Sequence, residues 1–221
     1  KSIKSIKSIK SVKFVKMRRI CSYAGVILAM ALVPGGCGQG YEPLFDGESQ
    51  EGWSVDPPGM SSHWKAEDGM LVGENPGMEG SIIWTTRDFT DFEIDLEYKA
   101  LMDDYDSGIF LRGMSHQVQI GISRSLQEDL TACIYAPADD RGKYPGRTDR
   151  VEEVHRPGEW NRLRVMVTGK QIQTFLNGEP MVDYTGVVID ERGPIGLQLH
   201  GNVHMAIQFR NIRVRELSGE S

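Results

Sequence analysis

The stretch DFEIDLEYKA, residues 91–100, alternates apolar and charged side chains almost without a break. Its apolar members share one parity and are Phe92, Ile94, Leu96, Tyr98 and Ala100. Because successive side chains of a β-strand point to opposite faces of the sheet, this pattern predicts a strand with one buried face and one wet face. Such half-solvated strands are typical of antiparallel β proteins.

The rest of the chain is predicted to consist of short strands joined by tight turns. Asp68-Gly69 separates two alternating segments of 64–74, which predicts a hairpin. Residues 161–184 give three strands, with turns at Gly169-Lys170 and Asn177-Gly178. No stretch of the sequence keeps an apolar period of 3.6 residues over three turns. We therefore expect an all-β sandwich in a single domain.

The first 37 residues are expected to lie outside this domain, which then spans residues 38–221. Residues 1–16 are a lysine-rich three-residue repeat that cannot bury a core. An arginine pair, the short apolar run Ala24–Val33 and several small residues then lead to Cys37. This order is typical of a bacterial lipoprotein signal, in which the cysteine is lipidated; ordinary secretion is the alternative.

A lipidated Cys37 predicts a cell-envelope lipoprotein on the periplasmic or outer-membrane face. The apolar run before it is too short to cross a bilayer comfortably. The membrane is therefore expected to be contacted through the lipid anchor only.

The charge of the chain argues against nucleic acid as a partner. Residues 1–37 hold eight of the 25 basic residues and none of the 31 acidic ones, which leaves 17 basic against 31 acidic residues and a net charge of −14. Proteins that bind nucleic acid need a basic surface. With Cys21 cleaved off and Cys37 lipidated, Cys133 stands alone, and its strand-like setting predicts a buried, inert thiol.

Three segments, 106–113, 117–122 and 195–200, place polar groups on one face of a predicted sheet. In each of them the aliphatic residues share one parity. If these face the core, the other face presents Asp106, Phe110, Arg112, Gln117, Gln119, Gln198 and His200. Amide, guanidinium and aromatic groups together suit a polyhydroxylated ligand, so this face is a candidate sugar-binding cleft.

A plain solvated face is the alternative interpretation, because antiparallel sheets commonly have one. The absence of side chains at Gly108, Gly121 and Gly196 favours a ligand that approaches the sheet closely. Residues 123–160 are irregular and rich in Asp, Arg, Pro and Gly, which predicts a binding or lid loop.

Eight short motifs follow one another along residues 41–217. They are LFDGESQEGW (44–53), WKAEDGMLVGE (64–74), DFEIDLEYKA (91–100), DSGIFLRG (106–113), VQI (118–120), PGEWNRLRV (157–165), FLNGEPMVDY (175–184) and GPIGLQLHG (193–201). In this order they resemble the 3-keto-disaccharide hydrolase family, long known as domain of unknown function 1080. The resemblance implies a concanavalin A-like jelly roll of the lectin/glucanase superfamily, in which two curved antiparallel sheets hold ligand on the concave one. It also implies an exported, often lipidated protein.

The activity implied by this resemblance is cleavage of glycosides that a separate oxidoreductase has oxidised at C3. The ketone acidifies the C2 proton, a base removes it, the C1 leaving group departs and water adds. The resemblance gives Arg112 the enolate or keto oxygen and makes His200 the base or acid. Asp106 orients Arg112 or serves as the alternative base. The residues expected to contact the sugar are Phe110, Gln117, Gln119, Gln198 and Tyr135.

Two other functions stay open. One is a non-catalytic, lectin-like carbohydrate-binding module at the cell surface, and the other is a structural or adhesion domain. The family pattern has Asn at position 106 and Glu at position 117, whereas this chain has Asp106 and Gln117, which favours the binding module. His155 is a further catalytic candidate, and Trp64 and Trp160 are expected to anchor the core.

The scattered histidines do not indicate a metal site, so no cofactor is expected, with a divalent metal as the alternative. The expected partner is an oxidised glycoside. The sequence does not determine the oligomeric state.

Overall fold

The computed structural model describes residues 40–217. The predicted export segment, the lipidation at Cys37 and the proposed boundary between residues 37 and 38 lie outside the described residues. Within residues 40–217, no helix has the length and apolar content needed to cross a bilayer.

The described residues form two antiparallel sheets. The large sheet has eight strands in the order β12-β11-β10-β6-β14-β4-β3, with β1 paired to β14. Its strands are β1 (Glu42–Pro43), β3 (Trp64–Glu67), β4 (Met70–Glu74), β6 (Phe92–Ala100), β10 (Asn161–Thr168), β11 (Gln171–Leu176), β12 (Glu179–Thr185) and β14 (Ala206–Glu216).

The small sheet has six strands in the order β2-β5-β13-β7-β8-β9. They are β2 (Trp53–Asp56), β5 (Ser81–Thr85), β7 (Asp106–Leu111), β8 (Gln117–Gly121), β9 (Ile134–Tyr135) and β13 (Ile195–Leu199). A 3₁₀ helix, Pro58–His63, and a one-turn helix α1, Val151–Val154, complete the elements. The predicted all-β sandwich is confirmed.

The core lies between the two sheets, where the aliphatic residues of both meet. On the small sheet Ile109, Val118 and Leu197 are fully buried, as the alternation predicted. On the large sheet the apolar side of β6 is likewise buried. Trp64 belongs to the core, but Trp160 does not: it is half-buried and lies under the guanidinium of Arg210, 3.8 Å from the ring centroid. The prediction for Trp160 is therefore wrong.

The charged side of β6 is also less wet than its alternation predicted. Asp95 is 2 % exposed and accepts hydrogen bonds from Arg162 and Arg213 on the neighbouring strands, at 2.6 and 2.7 Å. Glu93 is similarly enclosed by Arg164 and Arg215. Burial raises the pKa of Asp95, but its two arginines lower it more, and the pKa lies below its ordinary value.

The predicted hairpin turns are present. Asp68 and Gly69 have φ angles of 51° and 77°, and Asn177 and Gly178 have φ angles of 53° and 92°. Two consecutive left-handed residues match the right-handed twist of the flanking strands, which explains the Asp-Gly and Asn-Gly pairs. These turns fix the register of β3 with β4 and of β11 with β12.

Candidate functional site

The outer face of the small sheet carries polar and aromatic side chains in rows that cross the strands. In the first row Tyr135 pairs with Gln117, Gln117 with Phe110, Phe110 with Gly196 and Gly196 with Trp84. This register brings side chains from five strands into one line, because directly paired residues point to the same face of a sheet.

Two further rows run parallel to the first. The second contains Gln119 paired with Gly108, and Gln198 paired with Ile82. The third contains Asp106, whose backbone carbonyl accepts a hydrogen bond from the amide of His200 at 3.2 Å. Seven of the eight residues predicted to act in the cleft therefore lie on one face, and Arg112 is the exception.

The glycines of this face make room for protein side chains. A β-carbon at Gly108 would stand 2.0 Å from Nε2 of Gln117, and one at Gly196 would stand 2.6 Å from the ring of Trp84. The expectation that these glycines let a ligand approach is wrong in its detail. They let Gln117 and Trp84 lie flat on the sheet and so shape the surface that a ligand would meet.

A cavity of about 340 Å³ opens above these rows and is called the cleft below. Its walls come from the small sheet and from the irregular segment 123–144. The lining residues are Asp106, Phe110, Met114, Gln117, Gln119, Ser123, Arg124, Ser125, Tyr135, Pro137, Tyr144, Gln198 and His200. A larger hollow of about 690 Å³ lies on the outer face of the large sheet. We place the candidate site in the smaller cleft because the larger one is floored by Asp95, whose charge Arg162 and Arg213 already neutralise.

Asp106 is the centre of one hydrogen-bond network in the cleft. Its Oδ1 accepts from Nε2 of Gln119 at 2.8 Å, and its Oδ2 accepts from the backbone amide of Arg124 at 2.9 Å. The hydroxyl of Tyr144 in turn donates to Oε1 of Gln119 at 3.0 Å. Burial raises the pKa of Tyr144 to about 12, so the phenol keeps its proton at neutral pH. Both carboxylate oxygens of Asp106 are thus engaged, which suits an orienting group better than a free base.

Gln117 and Gln198 form a second network. Nε2 of Gln117 donates to Oε1 of Gln198 at 2.7 Å and to the backbone carbonyl of Ser107 at 3.2 Å. Because Oε1 of Gln198 is occupied, the Nε2 amine of the same amide is left over. None of the hydrogen bonds within residues 40–217 uses this amine, so it is a donor that a ligand oxygen can take.

His200 has a defined tautomer. Its Nδ1 lies 2.5 Å from the carbonyl oxygen of Gly201, which can only accept, so Nδ1 carries the proton of the neutral ring. Its Nε2 lies 3.9 Å from Oδ2 of Asp106, and the side chain is 34 % exposed. The free lone pair of Nε2 therefore lies at the cleft, beside a carboxylate that favours a proton there.

Arg112 lies outside the cleft, and the prediction that it lines it is wrong. Strand β7 ends at Leu111, and Arg112 has a left-handed φ of 57°, which breaks the alternation of side chains. Its guanidinium binds Oδ1 of Asp91 at 2.9 Å and the backbone carbonyls of Gly169 and Asp190. With 1 % of its side chain exposed, Arg112 joins the end of β7 to the β10–β11 turn.

His155 also lies away from the cleft. Its Nδ1 is 2.5 Å from Oδ2 of Asp129 and its Nε2 is 3.2 Å from the hydroxyl of Tyr105. The ring is 1 % exposed, so these contacts hold the irregular segment against the sheet. In the part of the chain that the structure describes, no three His, Cys, Asp or Glu side chains converge as metal ligands would.

A family model for the 3-keto-alpha-glucoside-1,2-lyase-like domain matches residues 40–215. The chain belongs to this family. The resemblance drawn from the eight motifs is confirmed, and membership gives this lyase-like domain a carbohydrate-related function. Among curated proteins, none matches the chain.

Solved structures share the fold of the lyase-like domain. A candidate glycosyl hydrolase from Parabacteroides distasonis ATCC 8503 superposes with a TM-score of 0.60 at 20% identity, over 81% of this chain and 94% of its own. The carbohydrate-binding module CBM66 from Bacillus subtilis gives a TM-score of 0.50 at 12% identity, over 75% and 96% of the two chains. The exoplasmic/lumenal domain of VIP36, in a form bound to Ca²⁺ and Man3GlcNAc, gives 0.58 at 10% identity, over 81% and 89%. The predicted concanavalin A-like jelly roll is confirmed.

Sequence reasoning missed four residues of the lyase-like domain's outer face. Arg124, Tyr144 and Met114 line the cleft, and Trp84 extends its first row. Arg124 is the cation that the prediction assigned to Arg112; a bidentate pair with Asp104 raises its pKa further. The parity rule could have found Trp84, since it shares a face with Ile82 and lies opposite in parity to the buried Ile83. Arg124 and Tyr144 lie in loops and had no such signal.

Proposed function

We propose that this domain cleaves glycosides or disaccharides already oxidised at C3, and that the reaction takes place in the cleft. His200 Nε2 removes the C2 proton, and the electron pair moves into the C3 carbonyl to give an enolate. The enolate re-forms the ketone as the C1–O bond breaks, which leaves a C1=C2 double bond and releases the aglycone. Water then adds at C1 to give the free 3-keto sugar.

The arrangement of His200 is the observation that supports this proposal most. The Gly201 carbonyl fixes the proton on Nδ1, so Nε2 is unprotonated in the neutral ring and lies at the cleft. When Nε2 takes the substrate proton, the imidazolium gains Asp106 as a counter-charge 3.9 Å away. A base needs both a free lone pair and stabilisation of its protonated form, and these two contacts supply them.

Two groups of the cleft suit the negative charge that develops on the C3 oxygen. Arg124 is a guanidinium at the cleft wall, and Gln198 has an Nε2 amine left over by its bond to Gln117. A cation or amide donor aimed at a developing oxyanion lowers the barrier more than the same group in water. In this proposal Asp106 orients His200 and Gln119 orients the sugar.

The proposal is tested by following sugar release from a 3-keto-disaccharide. We expect the wild-type protein to cleave it and His200→Ala to lose roughly 10²–10⁴-fold in kcat, the usual contribution of a positioned base. His204→Ala is the matched control, because His204 is an exposed histidine four residues away that pairs with Glu74 on the surface. Equal rates for wild type and His200→Ala would contradict the assignment of the base.

A lectin-like module is the second candidate function. The interlocked amides of Gln117 and Gln198 support it, because fixed amide groups suit the hydroxyls of a sugar whether or not a reaction follows. The similarity of fold to CBM66 and VIP36 is consistent with this alternative. Calorimetric binding of the 3-keto-disaccharide without any release of sugar would favour it over the enzyme.

We also propose that the protein is a cell-envelope lipoprotein modified at Cys37. The support is the order of arginine pair, apolar run and small residues before that cysteine. Metabolic labelling with a fatty acid tests it: label on the wild type and none on Cys37→Ala is expected. Unlabelled wild-type protein in the medium would instead indicate ordinary secretion.

A further inference from the structure

An apolar strip continues the first row of the cleft away from His200. It consists of Trp84, Phe110 and Met114. Phe110 and Met114 line the cleft itself, and the rings of Trp84 and Phe110 lie 5.6 Å apart at an angle of 36°. Met114 is 64 % exposed and Trp84 is half-buried, so the strip is open to a ligand.

The strip is a built surface. Trp84 occupies the space above Gly196, where any β-carbon would collide with its ring. Phe110 is 4 % exposed and supports the edge of that ring. The heteroatoms of the three side chains are one indole nitrogen and one thioether sulfur, so the strip offers little to a sugar hydroxyl and much to an apolar ring.

The distance between the strip and His200 fits a ligand of two rings. His200 lies four residues beyond Gly196 along β13 and its end. At roughly 3.4 Å per residue, the third and first rows are about 14 Å apart. A sugar bound at His200 therefore places the group attached to C1 over Phe110 and Trp84, if it points along β13 toward the first row.

We propose that the strip is an aglycone subsite and that the preferred substrates are 3-keto glycosides of aromatic alcohols. This inference rests on the proposed function and names its substrate class. An aryl ring stacks on Trp84 and Phe110, while the oxidised sugar occupies the polar part of the cleft.

The chemistry of the leaving group points the same way. In the elimination the C1–O bond breaks, its electron pair goes to the aglycone oxygen, and the C2 proton stays on His200 until water removes it. A phenol has a pKa of roughly 10, like a tyrosine side chain, so its oxide leaves without prior protonation. A sugar hydroxyl is much less acidic and needs an acid, whereas His200 at that moment is still taking up the C2 proton.

The test compares the 3-keto forms of phenyl glucoside and methyl glucoside as substrates. We expect kcat/KM to favour the phenyl glycoside in the wild type. In Trp84→Ala the ratio of phenyl to methyl kcat/KM should fall roughly tenfold, the size of one aromatic contact, and in Trp84→Phe it should largely recover. The ratio isolates stacking from the intrinsic difference between leaving groups.

Trp160→Ala is the matched control, since Trp160 is a half-buried tryptophan on the large sheet. Its phenyl-to-methyl ratio should equal that of the wild type. An unchanged ratio in Trp84→Ala, or a wild-type preference for a 3-keto disaccharide over the phenyl glycoside, would overturn the aglycone subsite.

Failure of the proposed function would look different. If none of these 3-keto glycosides is cleaved, the enzyme assignment fails, and calorimetry then tests the strip alone. Phenyl glucoside should bind the wild type more tightly than methyl glucoside, and Trp84→Ala should abolish the difference. Equal affinities in the wild type would overturn the subsite irrespective of catalysis.

Discussion

The side-chain amide of Gln117 lies directly over Gly108 on the neighbouring strand, where a β-carbon would stand 2.0 Å from Nε2. The same amide donates to Oε1 of Gln198 at 2.7 Å. The pairing of these two glutamines therefore depends on the absence of a side chain at position 108.

Gly108→Ala should push Gln117 away and break its bond to Gln198. We expect a loss of about 1–2 kcal/mol in the free energy of unfolding, from steric displacement and a lost buried hydrogen bond. Denaturant unfolding measures it. Adding Gln117→Ala should remove the clash, so the double variant should be more stable than the sum of the single changes. Gly59→Ala, where nothing lies within 4 Å of the new methyl group, is the control.

Arg112→Ala should destabilise the fold. It removes the guanidinium that joins Asp91 to the carbonyls of Gly169 and Asp190 and leaves a largely buried carboxylate behind. Breaking such a pair costs about 3 kcal/mol. Thermal unfolding gives the loss, and activity should fall only with the folded fraction. A large fall in kcat for fully folded Arg112→Ala would return Arg112 to the reaction.

Stability should fall as the pH drops below about 4, partly through Asp95. The pKa of Asp95 is below its ordinary value of 3.8 because Arg162 and Arg213 outweigh the effect of burial. A carboxyl with a lowered folded pKa stabilises the fold above its unfolded pKa, and this contribution is lost as the pH falls toward the folded pKa. Melting temperatures between pH 6 and pH 2 measure the effect. Asp95→Asn should be less stable at pH 6 and should show a shallower dependence on pH.

The thiol of Cys133 should resist alkylation in the folded protein. It is fully buried, and burial raises its pKa to about 11, so the reactive thiolate is scarce at pH 8. Iodoacetamide at pH 8 should leave the peptide that contains Cys133 unmodified, and should modify it after denaturation. Mass spectrometry of the digested protein distinguishes these outcomes, and rapid labelling of the native protein would show that the site is open.

Residue alternation was sufficient to predict the sandwich and most of the cleft. Asp106, Gln119 and Gln198 share a face because regular strands keep the period of two, and adjacent strands place paired residues on the same side. The turns at Asp68-Gly69 and Asn177-Gly178 were predictable because these residues tolerate the left-handed backbone that a two-residue hairpin requires.

The errors arose where the period or the partner was set at a distance. Arg112 lies one residue beyond the end of its strand, and its left-handed backbone turns the side chain away from the cleft. Asp95 is buried because its arginines come from strands more than 60 residues away in sequence. Tyr144 reaches Gln119 only through the path of a loop, which no local pattern specifies.

The polar rows and the core are interleaved on the same strands: Ile109 and Val118 face inward between the residues that line the cleft. Insertion of a single amino acid in β7 or β8 would exchange the two sets, exposing aliphatic groups and burying amides. Such strands can diverge by substitution but not by change of length. The segment after Gly121, which contributes Arg124, Tyr135 and Tyr144, has no such restriction, and homologous proteins with new sugar preferences should differ most there.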